Sequence, residues 1–594
     1  MTIPAREAAT PRPEYPRPDF VRREWECLNG PWEFAVDPDE QGIDEHWERR
    51  PSLDRTITVP YPVESRLSGI GDAARHDVVW YARNLIVPES WRDRRLLLHF
   101  GAVDYRADVF VNGTRVMSHE GGQTPFSMDV TPYRDEGDLR VVVRAEDRAR
   151  DLTQPRGKQY WKDASERIFY TRTTGIWQSV WLEPVAKAHL QGWTVAPRRE
   201  DGSIAYRAVV TGAGEAAELQ IRVADGDGVY TEARVSVTDG ENEGRLAPPA
   251  GRPTHPWSPE DPHLYDVRLT LYQAGVAVDE VTSYLGFSDL TARDGALYLN
   301  GRPYFLKMVL DQGYWPDGIL TAGSDGDLEA DVRAMKAMGF NGVRKHQKVE
   351  DPRFLYHCDR LGLMVFGEMA NAFVYTPTAA ARLVREWMEV VERDRNHPSL
   401  SAWVPLNESW GVPDLPGDPR QEAHLETLYH LTKSLDPDRL VISNDGWEHA
   451  TSDVLSIHDY TGDGDVLRVR YHALGDVLQV RPADRPLYAP GHTYHGEPVL
   501  VSEMGGVAAG PDTGPGWGYT RVDASSELLD RYRALVEAVA ASPVIAGFCW
   551  TQLTDVEQEQ NGLLTYDRRP KVDVDAICAL NAALPPGGVF GGHG

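Results

Sequence analysis

The stretch SAWVPLNESWG, residues 401–411, places two residues of chemical interest directly after an apolar run. Residues Ala402 to Leu406 have the composition of a buried strand, and Asn407 and Glu408 follow at once. A second glutamate, Glu503, ends the apolar run of EPVLVSEMGG. One carboxylate in such a place is usually a helix cap or a solvated loop residue. Two carboxylates at the ends of two strands are what acid/base and nucleophilic catalysis require.

Other strand-like runs in the second half of the chain also end on polar or aromatic side chains. These are Asp311, Arg344, His346, Glu368, Trp410, Asn444, Asp445, His458, Asp459, Tyr460 and Trp550. Convergent carboxylates and aromatic rings suit the cleavage of a glycosidic bond. In that reaction one carboxyl group protonates the leaving oxygen and an ionised one attacks the anomeric carbon, while aromatic faces pack on the sugar ring.

The elements that carry these residues repeat as strand and helix over residues 291–594. In DGDLEADVRAMKAMG, for example, Leu328, Val332, Met335 and Met338 recur at helical spacing, and Gly339 is a helix stop. Eight strand candidates, most of them separated by helices, predict a C-terminal (β/α)8 TIM barrel. The carboxyl ends of barrel strands share one face, so the residues named above are expected to meet there.

Two β-rich segments precede the predicted barrel. Short runs of Val, Leu and aromatic residues, with a VNGT hairpin signal, predict a jelly-roll-like β-sandwich over residues 1–185. Residues 186–290 have the length and strand spacing of an immunoglobulin-like β-sandwich. Within the first unit, the polar and aromatic loop 154–172 is either a long surface connection or a segment that reaches the barrel mouth. We predict the second, because long loops in compact domains are often functional.

Composition excludes several classes of function. A formal net charge of −28 argues against nucleic acid and anionic membranes as partners, whereas homo-oligomers stay compatible with it. The four cysteines are far apart, and the N-terminus lacks a signal-peptide core, so a cytoplasmic protein is expected. No G-x-G-x-x-G follows a strand and no P-loop motif is present, so no cofactor is expected.

Several segments together resemble glycoside hydrolase family 2, which contains β-galactosidases, β-glucuronidases and β-mannosidases. The segments are RRLLLHFGAVDYRADVFVNGTRV, TTGIWQSVWLEPV, LYLNGRPYFLKMV, MGFNGVRKH and CDRLGLMVFGE, with NE after the fourth barrel strand and SE plus Met-Gly after the seventh. The resemblance covers about residues 20–583. It implies a hydrolase of terminal sugars that retains anomeric configuration.

By this resemblance Glu408 is the general acid/base and Glu503 the nucleophile. Asn407 would bond the sugar 2-hydroxyl, Tyr460 would hold the nucleophile, and Trp550, beside a non-prolyl cis peptide bond, would form part of the glycone floor. The further substrate-binding residues expected are His346, Asp311, Arg344, His458 and Trp410. For Arg344 a buried ion pair is an equal alternative, and Glu368 is expected either to support the site or to bind sugar.

The sequence also departs from known branches of the family. A metal-binding Glu-x-His of large β-galactosidases is replaced by Ala372 and Val374, so no metal is implied. The Asn-x-Lys with which bacterial β-glucuronidases grip the uronate carboxylate is absent after the eighth strand. We therefore expect a neutral glycone of galactose type.

Three alternatives to a galactose-type glycosidase stay open. The first is a β-glucuronidase or another uronidase, with a substitute clamp among five basic residues, which are Arg344, Lys345, Lys348, Arg156 and Lys158. The second is an α-L-arabinofuranosidase. The third, from a different class, is a non-catalytic carbohydrate-binding protein.

Overall fold

The computed structural model describes residues 10–134, 138–510 and 516–584. Its N-terminal unit is a sandwich of two antiparallel sheets, with strand orders β1-β12-β5-β9 and β3-β2-β4-β10-β7-β8. The strands are β1 (Glu26–Cys27), β2 (Gly30–Val36), β3 (Arg55–Val59), β4 (Val78–Ile86), β5 (Arg95–Phe100), β6 (Val103–Asp104), β7 (Arg106–Val111), β8 (Thr114–Glu120), β9 (Phe126–Asp129), β10 (Asp138–Glu146), β11 (Gly175–Ile176) and β12 (Val180–Val185). Alternating apolar residues of both sheets form its buried core.

The second unit is a smaller sandwich of seven antiparallel strands. Its sheets have the orders β13-β14-β17 and β16-β15-β18-β19. The strands are β13 (His189–Pro197), β14 (Ile204–Thr211), β15 (Ala217–Asp225), β16 (Gly228–Ser236), β17 (Gly240–Leu246), β18 (Tyr265–Gln273) and β19 (Val276–Leu285). In β14 every second residue is buried, as the strand period requires when one face covers a core. A three-stranded meander follows, with β20 (Leu290–Arg293), β21 (Ala296–Leu299) and β22 (Arg302–Pro303).

The third unit is the predicted barrel. Its eight parallel strands lie in the order β28-β26-β25-β24-β23-β34-β31-β30, and further short strands extend their carboxyl ends. In chain order the elements are β23 (Leu306–Asp311), α1 (Asp325–Ala337), β24 (Gly342–Lys345), α2 (Pro352–Leu361), β25 (Met364–Glu368), α3 (Pro377–Asp394), β26 (Leu400–Val404), β27 (Leu406–Asn407), α4 (Pro419–Leu435), β28 (Leu440–Val441), β29 (Asn444–Asp445), β30 (Leu455–Asp459), α5 (Gly464–Arg470), α6 (Leu474–Val477), β31 (Val499–Gly505), β32 (Val507–Ala509), β33 (Thr520–Val522), α7 (Ser525–Ala540), β34 (Ile545–Thr551) and α8 (Val574–Ala583).

The barrel strands bury both of their faces. Met308, Leu310 and Cys549 belong to an interior cluster that the β20–β22 meander closes at the amino ends of the strands. Val309 and Trp550 belong to the larger cluster between the strands and the surrounding helices. The predicted fold class of two sandwiches and a barrel is confirmed. Among the described helices, none is long and apolar enough to cross a membrane.

Candidate active site

Glu408 and Glu503 meet at the carboxyl face of the barrel, as the strand-end argument predicts. Glu408 follows β27, and Glu503 lies within β31. One carboxylate oxygen of each, together with a ring nitrogen of His458, lie within 4.8 Å of one another. Glu408 has a positive φ of 52° and is partly exposed, whereas Glu503 is buried. A left-handed backbone conformation is uncommon for glutamate, and here it turns the chain abruptly out of the strand at its carboxyl end.

The surroundings of Glu503 hold it in one orientation. Arg344 Nη1 lies 2.7 Å from Glu503 Oε1. The Tyr460 hydroxyl donates a short hydrogen bond to Glu503 Oε2, the contact that the family resemblance predicts. Tyr460 is fixed in turn by its ring, which stacks on Tyr519 with centroids 3.4 Å apart. A carboxylate with a cation on one oxygen and a hydroxyl donor on the other is held in a fixed orientation.

Arg344 is the hub of a buried ion network. It is 1% exposed, and its guanidinium lies 2.7 Å from the carboxylates of Glu368, Asp445 and Glu503. Burial opposes its charge, but these carboxylates raise the pKa of Arg344 well above the ordinary value. The ion-pair alternative for Arg344 is therefore confirmed. Arg344 Nη2 also donates to Asn407 Oδ1 at 2.6 Å, which leaves Asn407 Nδ2 without a partner among the described residues.

His458 lies between the two glutamates. Its Nδ1 is 2.7 Å from Glu408 Oε1 and 3.4 Å from Glu503 Oε2, and its Nε2 is 3.3 Å from Asp445 Oδ2. Although burial alone would lower it, the carboxylates of Glu503 and Asp445 raise the pKa of His458 to about 10. His458 is thus an imidazolium at neutral pH. The three side chains have the spacing of a metal site, at which a metal would have to displace the proton of this ring.

His346 and Glu368 form the next layer below the carboxyl pair. His346 Nδ1 lies 3.1 Å from Glu368 Oε1. Burial and the charge of Lys158 lower the pKa of His346 well below its ordinary value, so this ring is neutral. Burial raises the pKa of Glu368 to about 7, although Arg344 opposes the shift. Glu368 therefore supports Arg344 and His346 from a fully enclosed position.

Two predicted sugar ligands face away from the site, because neighbouring residues of a strand point to opposite faces. Trp550 follows the inward-facing Cys549, so its ring is buried between β34 and α7, 4.7 Å from Tyr532. Asp311 follows the inward-facing Leu310 and pairs with Lys345 at 2.6 Å, beside α1. Both predictions of substrate contact are wrong. Of the two non-prolyl cis bonds in the described residues, the one in this part of the barrel lies between Thr551 and Gln552 rather than beside Trp550.

The loop 154–172 of the first sandwich contacts the barrel mouth, as predicted. The amides of Arg156 and Gly157 donate to the Asn371 carbonyl, at 3.3 and 3.1 Å. Farther along, Tyr170 OH donates to Glu559 Oε2 at 2.6 Å. The Phe169 ring stacks on Trp410, the residue expected to bind sugar, at 5.6 Å. The first unit therefore builds one wall of the site.

Several residues of the site were missed from the sequence. Glu559 is buried after the eighth strand, with Asn561 Nδ2 at 3.0 Å from its Oε1, and burial raises its pKa. Thr551 Oγ1 lies 3.2 Å from the Tyr460 hydroxyl. The signal that could have found Glu559 is its place in DVEQEQNG, an acidic loop directly after a barrel strand.

A cavity of about 1140 Å³ opens beside Glu408. Glu408, His458 and Tyr460 form its inner end. The rest of its lining combines charged residues such as Asp465 and Arg470 with the apolar Val466 and Val469. A cleft of this size leaves room for a leaving group beyond the sugar.

Comparison with known proteins gives consistent matches along the chain. Models of three domains match in succession: "Glycosyl hydrolases family 2, sugar binding domain" over residues 25–183, "Glycosyl hydrolases family 2" over 188–287, and "Glycosyl hydrolases family 2, TIM barrel domain" over 290–462. Beta-glucuronidase of Rattus norvegicus is 26% identical over 606 residues, which cover 93% of this chain and 89% of that protein. Beta-glucuronidase of Homo sapiens is also 26% identical, over 94% of this chain and 90% of its own length.

Solved structures share the fold over nearly the whole chain. Beta-glucuronidase of Bifidobacterium dentium, complexed with coumarin-3-O-glucuronide, has a TM-score of 0.80 at 21% identity and covers 97% of this chain and 99% of its own. The b-glucuronidase of Ruminococcus gnavus in complex with D-glucuronic acid has a TM-score of 0.76 at 19% identity and covers 97% and 100%. At these identities the likeness establishes the architecture alone.

Proposed function

The chain belongs to glycoside hydrolase family 2, and from that premise we propose that it is a retaining exo-β-glycosidase acting on β-D-glucuronides. Glu503 is the proposed nucleophile and Glu408 the proposed acid/base. The observation that carries the mechanism is the approach of their carboxylate oxygens to within 4.8 Å. Retaining enzymes hold the two carboxyl groups about 5–5.5 Å apart, whereas inverting enzymes leave room for a water between them.

The proposed reaction proceeds in two displacements. In the first, Glu503 attacks the anomeric carbon while Glu408 gives its proton to the departing glycosidic oxygen. In the second, Glu408 removes a proton from a water, which attacks the same carbon and releases Glu503. Arg344 and Tyr460 hold Glu503 in line for attack. The unpartnered Nδ2 of Asn407 is placed to donate to a sugar hydroxyl.

Variants of the two glutamates test this mechanism. E503A should lower kcat on every glycoside by roughly 10³-fold or more, because no other group can form the covalent intermediate. E408A should retain much more activity on a 2,4-dinitrophenyl glycoside than on a methyl glycoside, since a good leaving group needs little protonation. Proton NMR of the first-formed sugar should show retained β configuration. An inverted product, or equal losses on both substrates in E408A, would overturn the assignment.

The choice of a uronide rests on the curated relatives, both of the named ones being beta-glucuronidases that align along more than nine-tenths of this chain. They favour the uronidase alternative over the galactose-type sugar that the sequence alone predicts. The galactose-type glycone is the second candidate, because the buried Glu559 is an acceptor suited to hydroxyl groups. Matched 4-nitrophenyl β-glucuronide and β-galactoside decide between them. We expect kcat/KM to be about 100-fold higher for the glucuronide, and a preference for the galactoside would reverse the order.

Exo action is the proposed consequence of the narrowed mouth. The loop 154–172 contacts the barrel at Asn371, Trp410 and Glu559. With that side walled off, only a terminal sugar would fit, and the open cavity beyond Glu408 would receive the leaving group. Release of single sugars from a short oligosaccharide, without internal cleavage products, is the expected result by chromatography.

A further inference from the structure

Lys158 is a nearly buried lysine to which the mechanism above gives no role. Its side chain lies in the loop 154–172, and the residue is 6% exposed. Among the described residues its ammonium makes no ion pair and no hydrogen bond, and Nζ lies 5.0 Å from the centre of the Trp410 ring. An ammonium on a residue so little exposed has few waters around it, so it is well placed to bind an anionic partner.

The other basic residues that could serve as a clamp are already engaged. Arg344 is shared among three carboxylates. Lys345 pairs with Asp311 and Glu350, at 2.6 and 2.7 Å, and Lys348 pairs with Glu350 at 2.9 Å.

Arg156, the remaining candidate, is likewise occupied within its own loop. It donates to the carbonyls of Ala149 and Arg148, at 2.8 and 2.9 Å. Of the five candidates, Lys158 alone has a free charge.

The backbone holds Lys158 against the barrel mouth. Its carbonyl accepts from the Tyr170 amide at 2.9 Å, and the preceding Gly157 is fixed to the Asn371 carbonyl. Its charge is the largest electrostatic effect that lowers the pKa of His346, and the largest that opposes the raised pKa of Glu559. The ammonium therefore lies within electrostatic reach of His346 and Glu559, and it borders the face of Trp410.

We propose that Lys158 Nζ binds the carboxylate of a terminal β-glucuronosyl residue and is the residue that selects a uronide over a neutral sugar. This inference rests on the proposed function. In this proposal a loop of the sandwich domain provides the cation that the missing Asn-x-Lys would have supplied. Glu559 forms no ion pair with the ammonium among the described residues, and its two oxygens accept hydrogen bonds from Tyr170 and Asn561.

The test compares K158M with K162M on two substrates. Lys162 is an exposed lysine of the same loop, so its variant controls for loss of a charge there. For K158M we expect kcat/KM on 4-nitrophenyl β-glucuronide to fall about 100-fold, with a change of less than threefold on the β-galactoside. K162M should leave both values within twofold of the wild type, and K158R should recover most of the glucuronide rate.

The outcomes separate the inference from the proposed function. If the wild-type enzyme cleaves the galactoside and not the glucuronide, the proposed glycone is wrong and the inference falls with it. If it cleaves the glucuronide but K158M loses both activities equally, the function stands and the inference is overturned.

A binding measurement removes the dependence on turnover. Wild-type protein should bind D-glucuronic acid more tightly than the uncharged D-glucuronamide by calorimetry. That difference should disappear in K158M or, if K158M does not fold, in K158Q. A difference that persists in the folded variant would also overturn the inference.

Discussion

At the scale of single residues, the site is an arrangement of buried charges. Arg344 and the imidazolium of His458 lie among the carboxylates of Glu368, Asp445 and Glu503. Each of these groups would be costly to bury alone, and each is stabilised by a partner of opposite charge. The burial of Arg344 beside Asn407 and Glu503 thus keeps two functional side chains in fixed positions.

The raised pKa of His458 makes stability depend on pH. In the unfolded chain a histidine titrates near ~6.5, whereas folded His458 has a pKa of about 10. Its stabilising contribution is complete below pH ~6.5, declines by up to ~1.4 kcal/mol per pH unit above that, and is lost above pH ~10. The stability difference between wild type and H458Q should therefore shrink between pH 6.5 and 10. Urea unfolding at several pH values measures it, and a constant difference would contradict the assigned ion pairs.

At the scale of elements, the loop 154–172 connects two units that the chain forms separately. Its amides bond the barrel at Asn371, and its aromatic residues pack on Phe373 and Trp410. Gly157 makes the close approach feasible. Its φ is +59°, and a Cβ at this position would lie 2.0 Å from the Gln347 carbonyl oxygen. No residue with a side chain can occupy that place without moving the loop or the barrel segment that follows β24.

A pair of glycine variants isolates this contact. G157A should displace the loop and lower both kcat/KM and the melting temperature. G226A is the matched control, because Gly226 has a similar φ of +55° but no atom within 4 Å of a built Cβ. G226A should lower the free energy of unfolding by only ~1 kcal/mol, the cost of an alanine in the left-handed conformation, and leave kcat/KM unchanged. Equal effects of the two variants on activity would show that the loop contact is dispensable.

At the scale of the whole molecule, both sandwiches contact the barrel that carries the active site. The sandwich contributes Lys158 and Tyr170 to the site, and the barrel contributes the carboxyl pair. The second sandwich packs against the barrel, where Tyr284 OH donates to Asp359 Oδ2 at 2.8 Å. The whole chain carries a formal net charge of −28, which repels an anionic substrate at long range.

This repulsion predicts an effect of salt on substrate preference. Between 10 and 150 mM salt the Debye length falls from about 30 Å to about 8 Å, so distant surface charges are screened while buried ones are affected less. The kcat/KM ratio of glucuronide to galactoside should rise about two- to fivefold over that range. Steady-state rates in NaCl measure the ratio. A falling ratio would mean that local attraction, as by Lys158, outweighs the field of the whole protein.

The sequence by itself determined which strands end at the active site and which two glutamates meet there. Parallel barrel strands direct their carboxyl ends to one face, so Glu408 and Glu503 had to converge once the barrel was recognised. The repeated strand and helix patterns, and the two β-rich segments before them, likewise set the order of the three units.

Only the tertiary structure decided which face each strand-end residue presents. Asp311 and Trp550 lie on the outer face of the barrel because successive residues of a strand point to opposite faces. Where both faces are apolar, the sequence does not show which of two successive residues points inward. The tertiary structure also brought Lys158 of the first sandwich close to Glu559, which follows the last barrel strand. That approach depends on how separate domains pack together, which no local pattern of residues encodes.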